Sequence, residues 1–403
     1  MDIDLNGKHP VIIAGAGPVG CTLALYLARH NIPIILLEAE KQLPQDLRAS
    51  TWHPPTLDML DELEVTDELI NTGLKVPNYQ YRDRKTGQYA DFDMSILGDE
   101  TRHHYRLQAE QFRLTRIVCD KLSKMPNAEI RFGHAVSDVY QDYSSVTLKI
   151  DSDESQYQIT GSIVFGGDGA NSIIRRKASI DFNGFTYPDK FLVASTSYPL
   201  EKHFDNLAWV NYVADPDEWC VLLRCNNLWR CLFPTLPEDT EDKLLSDDYI
   251  QERLHFLASI EGDFDIGHRT LYNVHQRVAK TYRIGRILLG GDAAHVNNPL
   301  GGMGMNGGIH DAINLAEKLI MISKKEANDK VLDLYDRQRR IICERFVQKQ
   351  TIENKKALEE KDPHAQQKAQ DKYNETASNP ELCKKFLIRT SMIDSVRESY
   401  KIN

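Results

Sequence analysis

The chain has 403 residues, 41% of them hydrophobic and 27% charged, which is the composition of an ordinary globular protein long enough for two or three packed units. Lysine and arginine number 49 against 59 aspartate and glutamate, giving a net charge of −10 that argues against neutralising nucleic-acid phosphates. No apolar run reaches membrane-spanning length, and the polar residues 1–10 leave no room for a signal peptide, so the expectation is a soluble, cytoplasmic chain with no membrane span and no nucleic-acid partner.

Val11 to Ala14 is an apolar, β-branched run that ends in Gly15-Ala16-Gly17-Pro18-Val19-Gly20 and opens a helix with Leu23, Ala24 and Leu27 on one face. Ile34 to Leu37 then forms a second buried strand closing on Glu38, which completes a βαβ unit of about thirty residues. Tyr79 to Met94 alternates around Lys85-Thr86-Gly87 and predicts a hairpin. Gln108 to Met125 carries apolar residues at helical spacing. The strand-like runs Glu129 to Phe132, Val146 to Ile150 and Ile163 to Phe165 predict a return to the α/β layer. From Phe191 to Phe233, longer alternating runs predict a mostly antiparallel sheet. Ile287 to Leu289, the glycine-rich stretch 290–308 and a helix bearing Ala312, Leu315, Ala316 and Leu319 belong again to the first layer. Beyond Val331 the pattern is one of charged helices, with residues 355–375 polar enough to predict mobility. Seven scattered cysteines suit reduced thiols, and the one cluster, Cys220, Cys225 and Cys231, lacks a zinc-ribbon spacing, so no metal is expected.

Each glycine of the triplet Gly15, Gly17 and Gly20 has a physical use: a tight turn, close backbone approach to a pyrophosphate, and close packing of helix on strand. The phosphates would meet the free N–H groups of the following helix. Glu38 would accept from ribose hydroxyls, and an acid there opposes a 2′-phosphate, so the pocket suits FAD or NAD better than NADP. Gly166-Gly167-Asp168-Gly169 reads either as a turn held by Asp168 or as part of a site. Gly290-Gly291-Asp292, followed by Asn298-Pro299-Leu300-Gly301-Gly302-Met303-Gly304-Met305-Asn306, is a strand end, an acid and a glycine-rich loop opening a long helix. Asp292 could bind a ribityl or ribose hydroxyl, and the helix start offers N–H donors to an electron-rich ring.

These segments resemble the FAD-dependent aromatic hydroxylases of the para-hydroxybenzoate hydroxylase fold, the group A flavoprotein monooxygenases. Three signatures carry the resemblance: "GAGPVG" with Glu38, "GDGANSIIRR" from Gly167, and "RILLGGDAAHVNNPLGGMGMNGGIHDAINLAEKL" from Arg286. It implies an α/β fold in which a discontinuous, Rossmann-like FAD-binding domain (1–75, 103–180, 270–340) carries an inserted, mostly antiparallel substrate-binding sheet (76–102, 181–269) and C-terminal helices (341–403). It implies noncovalent FAD held by Gly15, Gly17, Pro18, Val19, Gly20, Glu38, Arg48, Gln108, Asp168 and Asp292. Gly301, Gly304, Met305 and Asn306 would lie beneath the flavin ring, with Pro299 near its oxygen-reacting face. NAD(P)H would act as transient reductant, and dioxygen would hydroxylate a small aromatic or N-heteroaromatic substrate through a flavin 4a-hydroperoxide. A homodimer is left open. Where the family commonly has a second proline, a glutamine and a tryptophan, this chain has Asn298, Met303 and Glu317.

On the substrate side, alternation places Val210 and Tyr212 on one face of a strand and Arg224 on one face of the next. Tyr212 could hydrogen-bond a ring hydroxyl and Arg224 could pair with an anionic group, sharing one cavity only if the register allows it. Other readings are a related reductase, a monooxygenase of non-phenolic substrates, or a flavin-binding sensor without turnover. A flavin halogenase is disfavoured because Trp52, Trp209, Trp219 and Trp229 never form Trp-x-Trp.

Overall fold

The fully buried side chains of Val11, Ile12 and Ile13 place the first strand, Val11–Ala14, at the centre of the protein. The computed structural model describes residues 3–403 except 8, 46 and 48. Val11–Ala14 pairs in parallel with Ile34–Glu38 on one side and Ile163–Gly166 on the other. Ala128–Phe132 and Ile287–Leu289 extend the sheet in parallel, and Arg283–Ile284 closes one edge antiparallel, making six strands. Strands buried on both faces read as unbroken apolar runs, the pattern of a helix-covered parallel sheet. Helices Pro18–Arg29 and Gly304–Ser323 pack together beside it, and glycines set their approach. A side chain at Gly308 would strike Val19 and the Gly291 backbone.

The expected strand at Val146 to Ile150 exists as Val146–Ser152, but not in this layer. It pairs antiparallel with His134–Gln141 and Gln156–Gly161 in a separate three-stranded meander. The short turns between these strands dictate hairpin pairing, whereas a parallel neighbour would require a crossover.

The inserted sheet has eight strands. From the interior edge they are His295–Val296, His268–Ala279, Phe182–Thr196, Leu228–Pro234, Cys220–Cys225, Val210–Ala214, Asn78–Asp83 and Tyr89–Asp93. All neighbours are antiparallel except Val210–Ala214 with Asn78–Asp83. The hairpin turns at Gly87, whose φ of +72° suits glycine. The boundary expected at 269/270 falls inside His268–Ala279, which pairs with Phe182–Thr196 over both its halves. Backbone pairing, which composition does not reveal, keeps that whole strand in the inserted sheet.

One face of this sheet carries Cys220, Leu222, Trp229 and Phe233 and packs on helix Asp247–Leu257. The other carries Tyr79, Tyr81, Val210, Tyr212 and Val221 and turns toward Leu300 and the C-terminal helices. Residues expected to be mobile form helices Lys349–Leu358 and Pro363–Ser378 instead. Tyr373 stacks on Tyr81 with ring centroids 4.2 Å apart, Phe386 lies against Phe92, and buried Lys355 pairs with Asp189 at 3.1 Å and with Glu359. A few well-spaced aromatic contacts anchor helices whose average composition is polar. Among the described residues, no helix is long and apolar enough to cross a membrane.

Candidate functional site

The Gly15–Gly20 turn borders a cavity of about 580 Å³, lined on its other walls by Glu38, Gln42, Phe112, His134 and Asp168. Helix Pro18–Arg29 starts there without a side-chain cap, leaving its first N–H groups to whatever enters. The three glycines divide their work. Gly15 has φ +99° and no room for a side chain against the Gly167 carbonyl, and a side chain at Gly20 would collide with the Gly15 carbonyl. Gly17 has nothing within 4 Å of where its Cβ would stand, so its missing side chain leaves open part of the cavity wall. Pro18 is buried in the first turn, and Val19 packs under Gly291. The Glu38 carboxylate accepts from Ala16 N–H at 2.8 Å and Glu40 N–H at 3.0 Å, which holds it at the cavity. This cradle fits the adenosine diphosphate portion of FAD.

Asp168 does two things. Its side chain accepts from Ser172 Oγ at 2.5 Å and from the N–H groups of Ile173 and Ile174, capping helix Ile173–Lys177, while it also lines the cavity. Arg175 of the same signature donates to the Ala293 carbonyl at 2.8 Å and so fastens this turn to the third signature. There Gly291 has φ +58°, and Asp292 is exposed just beyond it.

The glycine loop is tied down from several sides. His53 Nε2 lies 2.8 Å from the Gly301 carbonyl. Asn306, fully buried, donates to the carbonyls of Thr51 and Gly302 and accepts from His53 N–H, so its side chain is spent on holding the loop. Gly304 begins the 20-residue helix, Met305 leans on the main core, and Pro299 is exposed with its carbonyl accepting from Gly302 N–H. Asn298, where the family commonly has proline, donates to the Thr351 carbonyl and accepts from Leu300 N–H, bonds that a proline side chain could not make. Met303 is buried beside Cys343 and Met392, and Glu317 accepts from the Tyr400 hydroxyl at 2.8 Å.

Gln108 is buried in the strand Arg106–Gln108 and bonds Thr51 and Ser50. Arg48 lies outside the described residues. Tyr212 and Arg224 separate: Tyr212 stands opposite Val221, so the alternating Arg224 points to the other side, toward Trp229 and away from Leu300. The register does not meet the condition for both to share one cavity, and of the two only Tyr212 stands on the flavin-loop side, so Arg224 is set aside as a substrate contact. Arg106 and His53, which the sequence reading passed over, also belong to this side. Arg106 precedes Gln108 by two residues, and that spacing on a strand could have flagged it.

The parallel sheet with its glycine cradle, joined to a glycine loop facing a second sheet, defines a flavoprotein of two-layer oxidoreductase architecture. Residues 8–350 match the family described as "FAD binding domain". The chain is 31% identical over 396 residues to para-nitrophenol 4-monooxygenase of Pseudomonas sp. strain WBC-3, covering 96% of each. It is 32% identical over 345 residues to 6-hydroxy-3-succinoylpyridine 3-monooxygenase HspB of Pseudomonas putida, covering 83% of this chain and 85% of that one. Among solved structures, p-nitrophenol 4-monooxygenase PnpA of Pseudomonas putida DLL-E4 matches with a TM-score of 0.90 at 29% identity, over 96% of this chain and 98% of that one. The chain belongs to the FAD-dependent aromatic hydroxylase family of flavoprotein monooxygenases.

Proposed function

We propose that the protein uses NAD(P)H and dioxygen to hydroxylate a small phenol or N-heteroaromatic ring, one oxygen atom entering the ring and the other leaving as water. The observation that carries this reading is the open cradle at Gly17 and Glu38, joined through helix Pro18–Arg29 to a glycine loop opposite the aromatic face of the second sheet. Relatives named for para-nitrophenol and a hydroxylated pyridine support the substrate class. When bound, FAD supplies the redox chemistry between nicotinamide and dioxygen. The chain's own residues do the rest. Backbone at Gly15, Gly17 and Gly20 and the N–H groups after Pro18 would hold the pyrophosphate, Glu38 the adenosine ribose, and Asp292 the ribityl chain, with Gln108 and Asp168 beside them. The start of helix Gly304–Ser323 would offer N–H donors to the ring, with Gly301, Met305, the loop pinned by Asn306, and Pro299 beside it. Tyr212 orients the substrate ring. Seven buried thiols suit a reducing compartment, and the reading places the protein in the cytoplasm.

The test is a panel of phenols, hydroxybenzoates and hydroxypyridines added to the FAD-loaded protein. One or more should speed NAD(P)H oxidation and yield a product heavier by one oxygen; failure of all of them would remove the reading. A narrower prediction concerns Asp292→Ala. Losing a charge-assisted hydrogen bond to a ribityl hydroxyl should weaken FAD binding by about 1.5 to 3 kcal/mol while sparing turnover per bound flavin. Unchanged affinity in a fluorescence titration would move Asp292 away from the cofactor.

A further inference from the structure

Arg106 is a buried cation on the side of the sheet that faces the flavin loop. The pairing of Thr51 with Gln108 and Trp52 with Leu107 brings His53 level with Arg106, so Thr51, His53, Arg106 and Gln108 share one face. Arg106 is 2% exposed. Its guanidinium lies 4.0 Å from the Tyr79 ring centre, Nη1 donates to the Tyr212 hydroxyl at 3.3 Å, and Nε is buried without an acceptor. Among the described residues no carboxylate pairs with it. The titratable groups around it are Tyr79 and Tyr81 of the hairpin, Tyr212 of the neighbouring strand, and His53. Burial holds the Tyr79 and Tyr81 hydroxyls above their ordinary values, so both stay neutral. Burial, reinforced by Arg106 itself, holds His53 well below its ordinary value, so the imidazole is also uncharged at neutral pH. A cation in such a place is costly, and arginine, unlike lysine, cannot shed its proton to escape. Packing alone would be served better by an apolar side chain.

We propose that Arg106 is the anion anchor of the substrate site, taking the oxygen of a phenolate on Nε–H while Tyr212 holds Nη1. With Nη1 engaged by Tyr212, Nε–H is the buried donor left without an acceptor, and it is the one an anionic oxygen of the substrate would meet. The anchor selects the ionised form of a phenol, which is also the more electron-rich ring. The aromatic side chains around Nε must move apart to admit the ring. This inference rests on the proposed phenol-hydroxylating function and names the residue that sets its preference.

The test compares 4-nitrophenol with its non-ionising methyl ether, 4-nitroanisole, by calorimetry on the FAD-loaded protein at pH values on either side of the phenol's own ionisation. We expect 4-nitrophenol to bind at least about tenfold tighter above its ionisation than below it, the ether to bind weakly at both pH values, and Arg106→Gln to erase the difference while retaining FAD. Arg106→Lys should recover part of it, because the charge is restored without the guanidinium geometry. Equal binding of phenol and ether by the wild type, no binding of 4-nitrophenol, or a preference that survives Arg106→Gln would each overturn the proposal. A merely structural Arg106 would alter melting temperature or FAD content but leave the phenol-to-ether ratio unchanged. Loss of the function reading itself shows separately, as absence of stimulated NAD(P)H oxidation across the whole panel.

Discussion

Replacing Gly17 with valine is expected to give a folded protein that no longer retains FAD. Gly17 has φ −72° and ψ 177°, extended backbone open to any residue, and no atom stands within 4 Å of its absent Cβ. Neither strain nor crowding explains a glycine there, whereas the proposed close passage of the pyrophosphate would. A branched side chain would fill that passage, and we expect FAD affinity to fall at least about 100-fold, roughly 2.8 kcal/mol, with little change in the melting temperature of the apoprotein. Gly20→Val provides the contrast. Its side chain would strike the Gly15 carbonyl, so that variant should be expressed poorly or unfold early whether or not FAD is supplied. Wild-type FAD affinity in Gly17→Val would show that the cofactor does not run past this turn.

The second large effect is expected at Asp311, on the long helix behind the flavin loop. Its carboxylate, wholly buried, pairs with His295 Nε2 at 2.8 Å and Arg339 Nε at 2.7 Å and accepts from Gly291 N–H at 3.0 Å. Burial opposes charge on the His295 ring, but Cys343 and Asp311 together outweigh it and hold the imidazole well above its ordinary value. Burial likewise opposes the Asp311 carboxylate, and His295 and Arg339 outweigh it, holding the acid below its ordinary value. Asp311→Asn would leave two buried cations without their anion, and we expect a loss of about 3 to 5 kcal/mol in denaturant unfolding. A group with a raised folded value stabilises fully below its unfolded value and loses that contribution as pH rises through the folded one. The His295 part of the deficit should therefore shrink as the solution is made alkaline. The Asp311 part, from a lowered value, should fade as pH falls below the ordinary carboxylate range. A deficit under about 1 kcal/mol would mean that the pair carries little of the loop's anchorage.

The dinucleotide half of the fold was legible because its demands are local. A strand, three spaced glycines, a helix and an acid at the next strand end leave few other solutions, and the structure has each where the spacing put it. Pairing was not legible in the same way. Val146–Ser152 reads as a strand, yet nothing in its side chains says whether its neighbour is parallel or antiparallel. Tyr212 and Arg224 each had the correct face along its own strand, but their relation depended on a register of one residue between strands. Helix Pro363–Ser378 looked solvated because one aromatic contact, Tyr373 on Tyr81, weighs little in an average over polar neighbours. Arg106 was readable from its alternation with Gln108, but its lack of a counter-ion appears only once the hairpin, folded from residues 78–93, closes over it.

The eight-stranded sheet draws its strands from residues 78–93, 182–196, 210–234, 268–279 and 295–296, and its aromatic face is covered by side chains as late as Phe386 and Thr390. On the ribosome, therefore, the sheet cannot be completed when its first hairpin emerges. Tyr79, Tyr81 and Phe92 must wait through the synthesis of about three hundred further residues, as an unpartnered aromatic strand pair, before the helices that bury them exist. Assembly dominated by such distant pairings is slow and leaves strand edges exposed meanwhile. Holding-type chaperones and reduced growth temperature should thus raise the yield of this protein more than added FAD, whose cradle closes from residues made much earlier.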